Sequence, residues 1–239
     1  MRHIVLTLAG TFLLATAACS QSDAQSGPSI SRAFPVGSFT AIEVAGPYDV
    51  TVVTGKAASV NAQGPQKLIE AMEVSLDGDK LRIRPRRQGM FSGMNWSGGN
   101  ATVAVSVPAL RAAALAGSGD LTVDRVNGEQ FTGAVAGSGD LRLGNVAVKS
   151  LKLAVAGSGT ATVAGQTNEA SYAVAGSGDL DAVGLTAASA RIDVAGSGNV
   201  RARVTGEAKA SVAGSGDVEI SGGARCQTSK HGSGDVRCS

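Results

Sequence analysis

Residues 135–141 read VAGSGDL, and variants of this heptapeptide occur seven times between residues 115 and 236. The first glycines of the copies lie at positions 117, 137, 157, 176, 196, 214 and 232, so the repeat is 18 to 20 residues long. Each copy places a tight Gly-Ser-Gly turn between two apolar segments, which is the pattern of strand, turn and strand. The period is too short for a propeller blade or a helical repeat. It predicts an all-β solenoid of about 19-residue coils, stacked through parallel strand pairing.

Two positions of the repeat are apolar in nearly every copy. One lies two residues before the first glycine, and the other directly follows the aspartate position. Polar residues such as Arg142 and Glu219 alternate with them, as expected of a half-buried strand. The pattern predicts two inward ladders: Leu115, Val135, Val155, Val174, Val194 and Val212, and Leu121, Leu141, Ala161, Leu180, Val200, Val218 and Val236. Alanines before the first glycine predict close packing there: Ala116, Ala136, Ala156, Ala175, Ala195 and Ala213.

The N-terminus has the features of an export signal. Residues 1–19 read MRHIVLTLAGTFLLATAAC, a basic start followed by an apolar run too short to anchor the chain as a membrane-spanning helix. The segment ending at Cys19 resembles a bacterial lipobox, which implies lipidation of Cys19 and attachment to the outer membrane. Conventional cleavage, giving a soluble periplasmic protein, is the alternative. Residues 20–35 are rich in Ser and Gln and predict a flexible tether to one domain over residues 36–239.

The last copy of the repeat, residues 230–236, differs from the others. Lys230 and His231 occupy the positions that are otherwise apolar and alanine, which predicts a polar cap on a terminal coil without a neighbour. Cys226 and Cys238 have inward parity in this coil, and two cysteines of an exported protein predict a disulfide. Unpaired thiols are the alternative. A metal site is disfavoured because two thiols and His231 fall short of four ligands.

The composition excludes some classes of protein. The chain has 21 Lys and Arg against 19 Asp and Glu, which argues against a nucleic-acid binder because such a surface needs clustered positive charge. A hydrophobic content of 43% argues against disorder. We expect no cofactor.

Three segments upstream of the first turn join the repeat in resembling one family. They are FTAIEVAGPYDVTVVTG at 39–55, DGDKLRI at 77–83 and SVPAL at 106–110. Together with the GSGD turns they resemble the head GIN domain, the head domain of autotransporter adhesins, over about residues 36–239. The resemblance implies a right-handed parallel β-helix exported by bacteria, often as a lipoprotein. It brings no catalytic residues to carry over.

The position after the second glycine forms a polar column. Acids on neighbouring coils could act in general acid/base catalysis or hold a cation. Asp, Asn and Thr, which share this position, all accept hydrogen bonds from backbone N–H groups, so we favour a turn-capping role. The calcium-binding nonapeptide pattern has a different glycine spacing and period, and we therefore predict no metal site. The column comprises Asp120, Asp140, Thr160, Asp179, Asn199, Asp217 and Asp235.

A basic strand precedes a loop that holds the only tryptophan. The arginines are either the solvated face of a strand or a patch for an anionic partner, since guanidinium groups bind phosphate in bidentate fashion. The aromatic residues either join that patch or cover an open edge of the solenoid. The candidate patch comprises Arg82, Arg84, Arg86, Arg87, Phe91 and Trp96.

The sequence therefore predicts a non-enzymatic cell-envelope lipoprotein that acts as an adhesin, a surface-interaction domain or a scaffold. Its expected partners are the membrane, through the N-terminal lipid, and an envelope polysaccharide, an anionic lipid or another protein. The alternative is a β-helix protein that binds or degrades polysaccharide. Enzymes and lectins of that kind are expected to cluster aromatic and acidic residues on one face, whereas Tyr48, Trp96 and Tyr172 lie far apart in this sequence.

Overall fold

A computed structural model describes residues 28–86 and 101–239 of the chain. These residues form one short helix and a long series of strands. The elements are β1 (Ser29–Phe34), β2 (Ala41–Ala45), β3 (Tyr48–Thr54), β4 (Ser59–Pro65), α1 (Gln66–Ala71), β5 (Met72–Asp77), β6 (Lys80–Pro85), β7 (Ala101–Val107), β8 (Ala112–Gly117), β9 (Leu121–Val123), β10 (Val126–Gly137), β11 (Leu141–Gly157), β12 (Thr160–Gly176), β13 (Asp179–Gly196), β14 (Val200–Gly214), β15 (Val218–Ser221), β16 (Arg225–Gly232) and β17 (Val236–Cys238).

The repeats stack as parallel coils, and the predicted β-solenoid is confirmed. Each strand from β8 onward pairs in parallel with the equivalent strand of the next coil. The register aligns the first glycines of all seven turns, from Gly117 to Gly232. The differences of one or two residues in repeat length are absorbed at register shifts between the turns, for example between Leu143 and Val146 and between Ala182 and Ser189.

The two apolar ladders form the core, as the alternation predicts. Their members from Leu115 to Val218 are at most 3% exposed, and Val236 in the last coil is partly buried. The alanine column differs from its prediction. Ala116 and its five equivalents are exposed on the outer face of the strands, and no described element packs on them. Alternation along the strand explains this, because the residue next to an inward valine points outward.

Glycine is required in the turns because adjacent coils lie very close there. The carbonyl oxygen of Gly137 accepts hydrogen bonds from the N–H groups of Ser158 (2.9 Å) and Gly159 (3.0 Å) in the next coil. A Cβ atom on Gly159 would overlap the carbonyl oxygen of Gly139. Gly157 has a φ of +122°, a conformation that side chains disfavour. The first glycine thus allows the turn, and the second allows the coils to approach.

The N-terminal part closes one end of the solenoid. β2 and β3 form a first coil that pairs in parallel with β8 and β9, and residues 44–50 of this coil, VAGPYDV, are a degenerate copy of the repeat. On its other side, β6 and β7 pair in parallel with β2 and β3. The parallel strands form two rows along the solenoid, one that contains β2, β6 and β8 and one that contains β3, β7 and β9. α1 connects β4, which pairs with the second row, to β5, which pairs with the first. The buried Leu68 and Ile69 of α1 lie over the end of the core.

Part of the segment predicted to be a tether, residues 20–35, is a strand. Residues 29–34 form β1, which pairs antiparallel with β4, and Ile30 and Phe34 pack against the core. The sequence did not reveal this strand because the segment is rich in serine. Only Ile30 and Phe34 face the core, and two apolar residues are too short a pattern to predict a strand. Cys19 and residues 20–27 of the proposed tether lie outside the described residues. Within the described ranges, no helix is long and apolar enough to cross a membrane.

The C-terminal end is closed by the predicted disulfide, which is confirmed. Cys226 of β16 and Cys238 of β17 are joined, with their Cα atoms 6.5 Å apart. Cys226 is aligned with Ala208 of the preceding coil, and Cys238 with Ile220. Since Ala208 and Ile220 are buried, the disulfide spans the end of the core between the two rows of strands.

Two tyrosine hydroxyls are buried without a hydrogen-bond partner among the described residues. Tyr48 is 0% exposed and Tyr172 is 1% exposed. Burial raises the pKa of Tyr48 to about 12, and it also raises the pKa of Tyr172 well above its ordinary value. In the first coil Tyr48 replaces the second glycine of the turn, and its ring fills the core at that end.

Candidate functional site

The predicted turn-capping column lies along one edge of the solenoid, where its side chains link successive coils. Asp120 Oδ1 accepts the N–H of Asp140 at 3.2 Å, and Asp217 Oδ1 accepts the N–H of Asp235 at 2.8 Å. Each carboxylate therefore accepts an N–H group from the following coil rather than from its own turn. The backbone spacing between parallel coils, about 4.8 Å, brings that N–H within reach of a short side chain.

The two neutral members of the column behave differently. Asn199 donates its N–H to Asp179 Oδ1 (2.9 Å) and accepts the N–H of Asp217 at 3.1 Å, so it continues the ladder. Thr160 does not, and the N–H of Asp179 instead donates to the carbonyl oxygen of Gly159 at 3.2 Å. The ladder of side chains is thus interrupted after Thr160.

A second column lies two residues further along each coil, on the same face. Its members are aligned by the strand pairing: Thr122, Arg142, Thr162, Asp181, Arg201, Glu219 and Arg237. Arg142 bridges two acids of the first column, with its guanidinium 3.0 Å from Asp120 Oδ2 and 2.7 Å from Asp140 Oδ2. The hydrogen bond to Asp120 raises the pKa of Arg142 above its usual range. Arg142 therefore occupies the space between the columns in this part of the solenoid.

Beyond Thr160 the space between the columns is an open groove of about 450 Å³. It holds five carboxylates and two guanidinium groups. Arg201 pairs with Asp181 at 2.8 Å, and Lys230 reaches Asp235 at 3.3 Å. The residues that line it are Thr160, Thr162, Asp179, Leu180, Asp181, Asn199, Val200, Arg201, Asp217, Val218, Glu219, Asp235 and Arg237.

The groove has unneutralised negative charge. Among the described residues, no cation lies within ion-pair distance of Asp179, Asp217 or Glu219. All three are exposed. Within the described ranges, no cluster of three or more His, Cys, Asp or Glu side chains is placed to hold a metal ion. The arrangement is therefore suited to cationic groups of a partner at the surface.

A family model described as "Putative auto-transporter adhesin, head GIN domain" matches residues 38–224, which include the first coil and all but the last GSGD turn. The chain belongs to the head GIN domain family. Membership in an adhesin family is typical of a protein of the cell envelope or cell surface. A comparison with curated proteins finds no match.

Solved structures share the fold of this head GIN domain. A putative adhesin from Bacteroides fragilis has a TM-score of 0.79 at 18% identity, with 89% of this chain and 97% of that chain covered. A putative lipid binding protein from Parabacteroides distasonis has a TM-score of 0.71 at 22% identity, with 89% and 97% covered. A putative adhesin from Parabacteroides merdae has a TM-score of 0.63 at 19% identity, with the same coverage. At these identities the similarity shows the fold alone.

In this head GIN domain the basic strand β6 is largely neutralised. Arg82 lies 2.9 Å from Asp77, and Arg84 lies 2.9 Å from Glu73. Glu73 is directly opposite Arg84 in the β5–β6 hairpin, so the hairpin register would have revealed this pair from the sequence. Arg86 is exposed. Arg87, Phe91 and Trp96 lie outside the described residues, and the role of the patch stays a prediction.

Sequence reasoning missed the groove of the head GIN domain. It recognised the first column but treated the residues of the second, such as Arg142 and Glu219, only as outward residues of a strand. Aligning the repeats on their glycines would have placed these side chains next to one another, because the strand register follows that alignment. The space beside these side chains is open because Arg142, which fills the space between the two columns, lies in an earlier coil. A sequence pattern does not show which part of that space is filled.

Proposed function

We propose that this head GIN domain is a non-enzymatic protein of the cell envelope that binds a partner protein along the lateral groove. The observation that carries the proposal is the open groove beyond Thr160, with exposed carboxylates on Asp179, Asp217 and Glu219 that have no cation within ion-pair distance in the described chain. Such a groove favours lysine and arginine side chains of a partner.

The chain itself contains an example of the expected contact. Upstream of the groove, the guanidinium of Arg142 lies between the two column acids Asp120 and Asp140 and binds both. In the open part of the groove Asp217 and Asp235 lie on adjacent coils with the same spacing, so a partner arginine would meet an equivalent pair there. Stacked coils also hold these carboxylates in fixed positions, which lowers the entropic cost of binding.

Support for a non-enzymatic role comes from the surroundings of the acids. The column carboxylates Asp120, Asp140 and Asp217 accept backbone N–H groups and thereby stabilise the coil stack. Most serines of the turns lie in coils that contain no histidine to act as a base, since His231, the one histidine among the described residues, belongs to the last coil.

The location in the envelope is part of the same proposal. Lipidation of Cys19 would attach the chain to the outer membrane, and the residues before β1 would serve as the tether. The domain would then begin at β1 rather than at residue 36 and would include the cap formed by β1, β4 and α1. This arrangement presents the groove along the side of a rigid solenoid.

Neutralising the groove is expected to weaken the binding of cationic peptides. The variant Asp179→Asn, Asp217→Asn, Glu219→Gln keeps the side-chain oxygens that accept backbone N–H groups but removes three charges. The matched control, Glu129→Gln, Glu169→Gln, Glu207→Gln, removes three exposed charges at another corner of the coils. Binding to an array of lysine- and arginine-containing peptides, envelope glycans and anionic lipid vesicles should fall at least about tenfold for peptides in the first variant only.

Each other outcome of this experiment counts against the proposal. Equal loss in both variants would mean that peptides respond to net charge rather than to the groove. Binding of neutral or acidic glycans that survives in the groove variant would favour the polysaccharide-binding alternative. Binding of vesicles alone would favour the basic residues of β6 as the contact surface.

A further inference from the structure

The last coil contributes little to the hydrophobic core. Every residue of β16 is exposed except Cys226, which is partly buried. Thr228 and Lys230 stand where the preceding coil has Ala210 and Val212. Val236 is the only apolar residue of β17, and it is partly buried. Because burial of apolar area is the main source of stability, this coil is held weakly by its side chains.

Strand pairing holds the coil on one side only. Within the described chain, β16 pairs with β14 and β17 pairs with β15, and neither has a partner on its outer edge. Ser239 adds two backbone hydrogen bonds, to Gly223 (3.0 Å) and Ile220 (2.9 Å). The Cys226–Cys238 disulfide is the covalent cross-link that ties the two halves of this coil together in addition to the backbone between them.

The coil beneath has the opposite character. Val212 and Ile220 are 0% exposed, and Ala208 is 1% exposed. If the last coil were displaced, these side chains would form an apolar end surface bordered by the unpaired edges of β14 and β15. Such a surface pairs readily with another strand edge.

We propose that the Cys226–Cys238 disulfide controls self-association, so that reduction releases the last coil and the opened ends of two copies pair. A thiolate of a dithiol reductant attacks one sulfur and forms a mixed disulfide, and its second thiol then displaces the other protein thiol. The protein gains two hydrogens as Cys226 and Cys238 become thiols, and the reductant is oxidised to its own disulfide. The proposal does not depend on the groove or on its partner.

The expected assembly is a dimer rather than a filament. At the opposite end, α1 covers the core, and β1, β4 and β5 are paired antiparallel. Only the C-terminal end therefore opens on reduction. Two identical surfaces that meet about a two-fold axis form a closed dimer, whereas a chain of copies would need a second complementary end.

The test compares redox states of the full chain carrying Cys19→Ser, in which Cys226 and Cys238 are the only cysteines. Sedimentation velocity should show a monomer when the chain is oxidised and a dimer after treatment with dithiothreitol. Hydrogen exchange should accelerate in residues 222–239 alone. The variant that also carries Cys226→Ser and Cys238→Ser should dimerise without reductant. A chain that ends at Gly222 should dimerise in either condition.

Several results would overturn the proposal. The reduced chain and the chain ending at Gly222 would both remain monomeric if the exposed edge had no affinity for a second copy. Fast hydrogen exchange throughout the coils after reduction would indicate global unfolding rather than release of one coil. A dimer in the oxidised chain would show that the disulfide does not control association.

Discussion

Replacement of Gly159 by alanine is expected to destabilise the fold by more than about 3 kcal/mol. A Cβ atom at this position would overlap the carbonyl oxygen of Gly139, which belongs to the backbone of the preceding coil and cannot rotate away. The two coils would have to separate, and the hydrogen bonds from Ser158 and Gly159 to Gly137 would lengthen. The loss should appear as a lower midpoint of chemical denaturation followed by circular dichroism.

The chain offers a matched control for this substitution. Gly128 has a φ of +146°, but no atom lies within 4 Å of the position its Cβ would take. Gly159 is not among the glycines with positive φ. Gly128→Ala therefore measures backbone strain alone, about 1 to 3 kcal/mol, whereas Gly159→Ala measures the approach of the coils alone. An equal or smaller loss for Gly159→Ala would contradict the assignment of the second glycine to coil spacing.

Alkaline pH is expected to weaken the fold through its two buried tyrosines. In the folded chain Tyr48 keeps its proton to about pH 12, whereas an unfolded chain releases it near pH 10.0. Between these values the unfolded state binds fewer protons, so the free energy of unfolding decreases as the pH rises. Burial acts in the same direction on Tyr172. Each buried phenol should cost about 1.4 kcal/mol for every pH unit above its unfolded pKa.

Urea unfolding between about pH 9 and about pH 11 would measure this slope. Tyr172→Phe and Tyr48→Phe should each remove about half of it. At neutral pH either change should be neutral or slightly stabilising, since it removes a buried hydroxyl that has no hydrogen-bond partner in the described chain. The ultraviolet spectrum provides the control. Phenolate absorbance that appears near pH 10 in the folded protein would show that the hydroxyls are accessible and would remove the basis of the prediction.

The repeated part of the fold could be predicted from the sequence because one pattern carries several constraints at once. The spacing of Gly117, Gly137 and Gly157 sets both the turn and the register, and the valines beside them set the inward face. The disulfide followed from the parity of Cys226 and Cys238 within the same frame. Each of these features depends on local periodicity, which is visible in a single chain.

Features that depend on contacts between unlike segments could not be predicted in the same way. The pairing of β1 with β4 joins segments without a repeat, and the strand was mistaken for part of the tether. The alanines before the first glycines were expected to be packed, but they are exposed. The repeat shows that the position holds a small residue, and it does not show whether another element lies outside it. The open groove depends on which coil holds Arg142, and the neutralisation of Arg84 depends on Glu73 in the neighbouring strand.

The hydrogen bonds between coils bear on how the chain is assembled during synthesis. In every described turn from Gly117 to Gly214, the carbonyl of the first glycine accepts N–H groups from the coil that follows. Other bonds run the opposite way, for example from the N–H of Leu121 to the carbonyl of Asp140, so each coil offers both acceptors and donors to the coil translated after it. A completed coil can serve as a template for the next 18 to 20 residues while the remainder is still being translated. Folding of the repeats then proceeds by short-range steps from the N-terminal end, with no coil waiting for a distant partner.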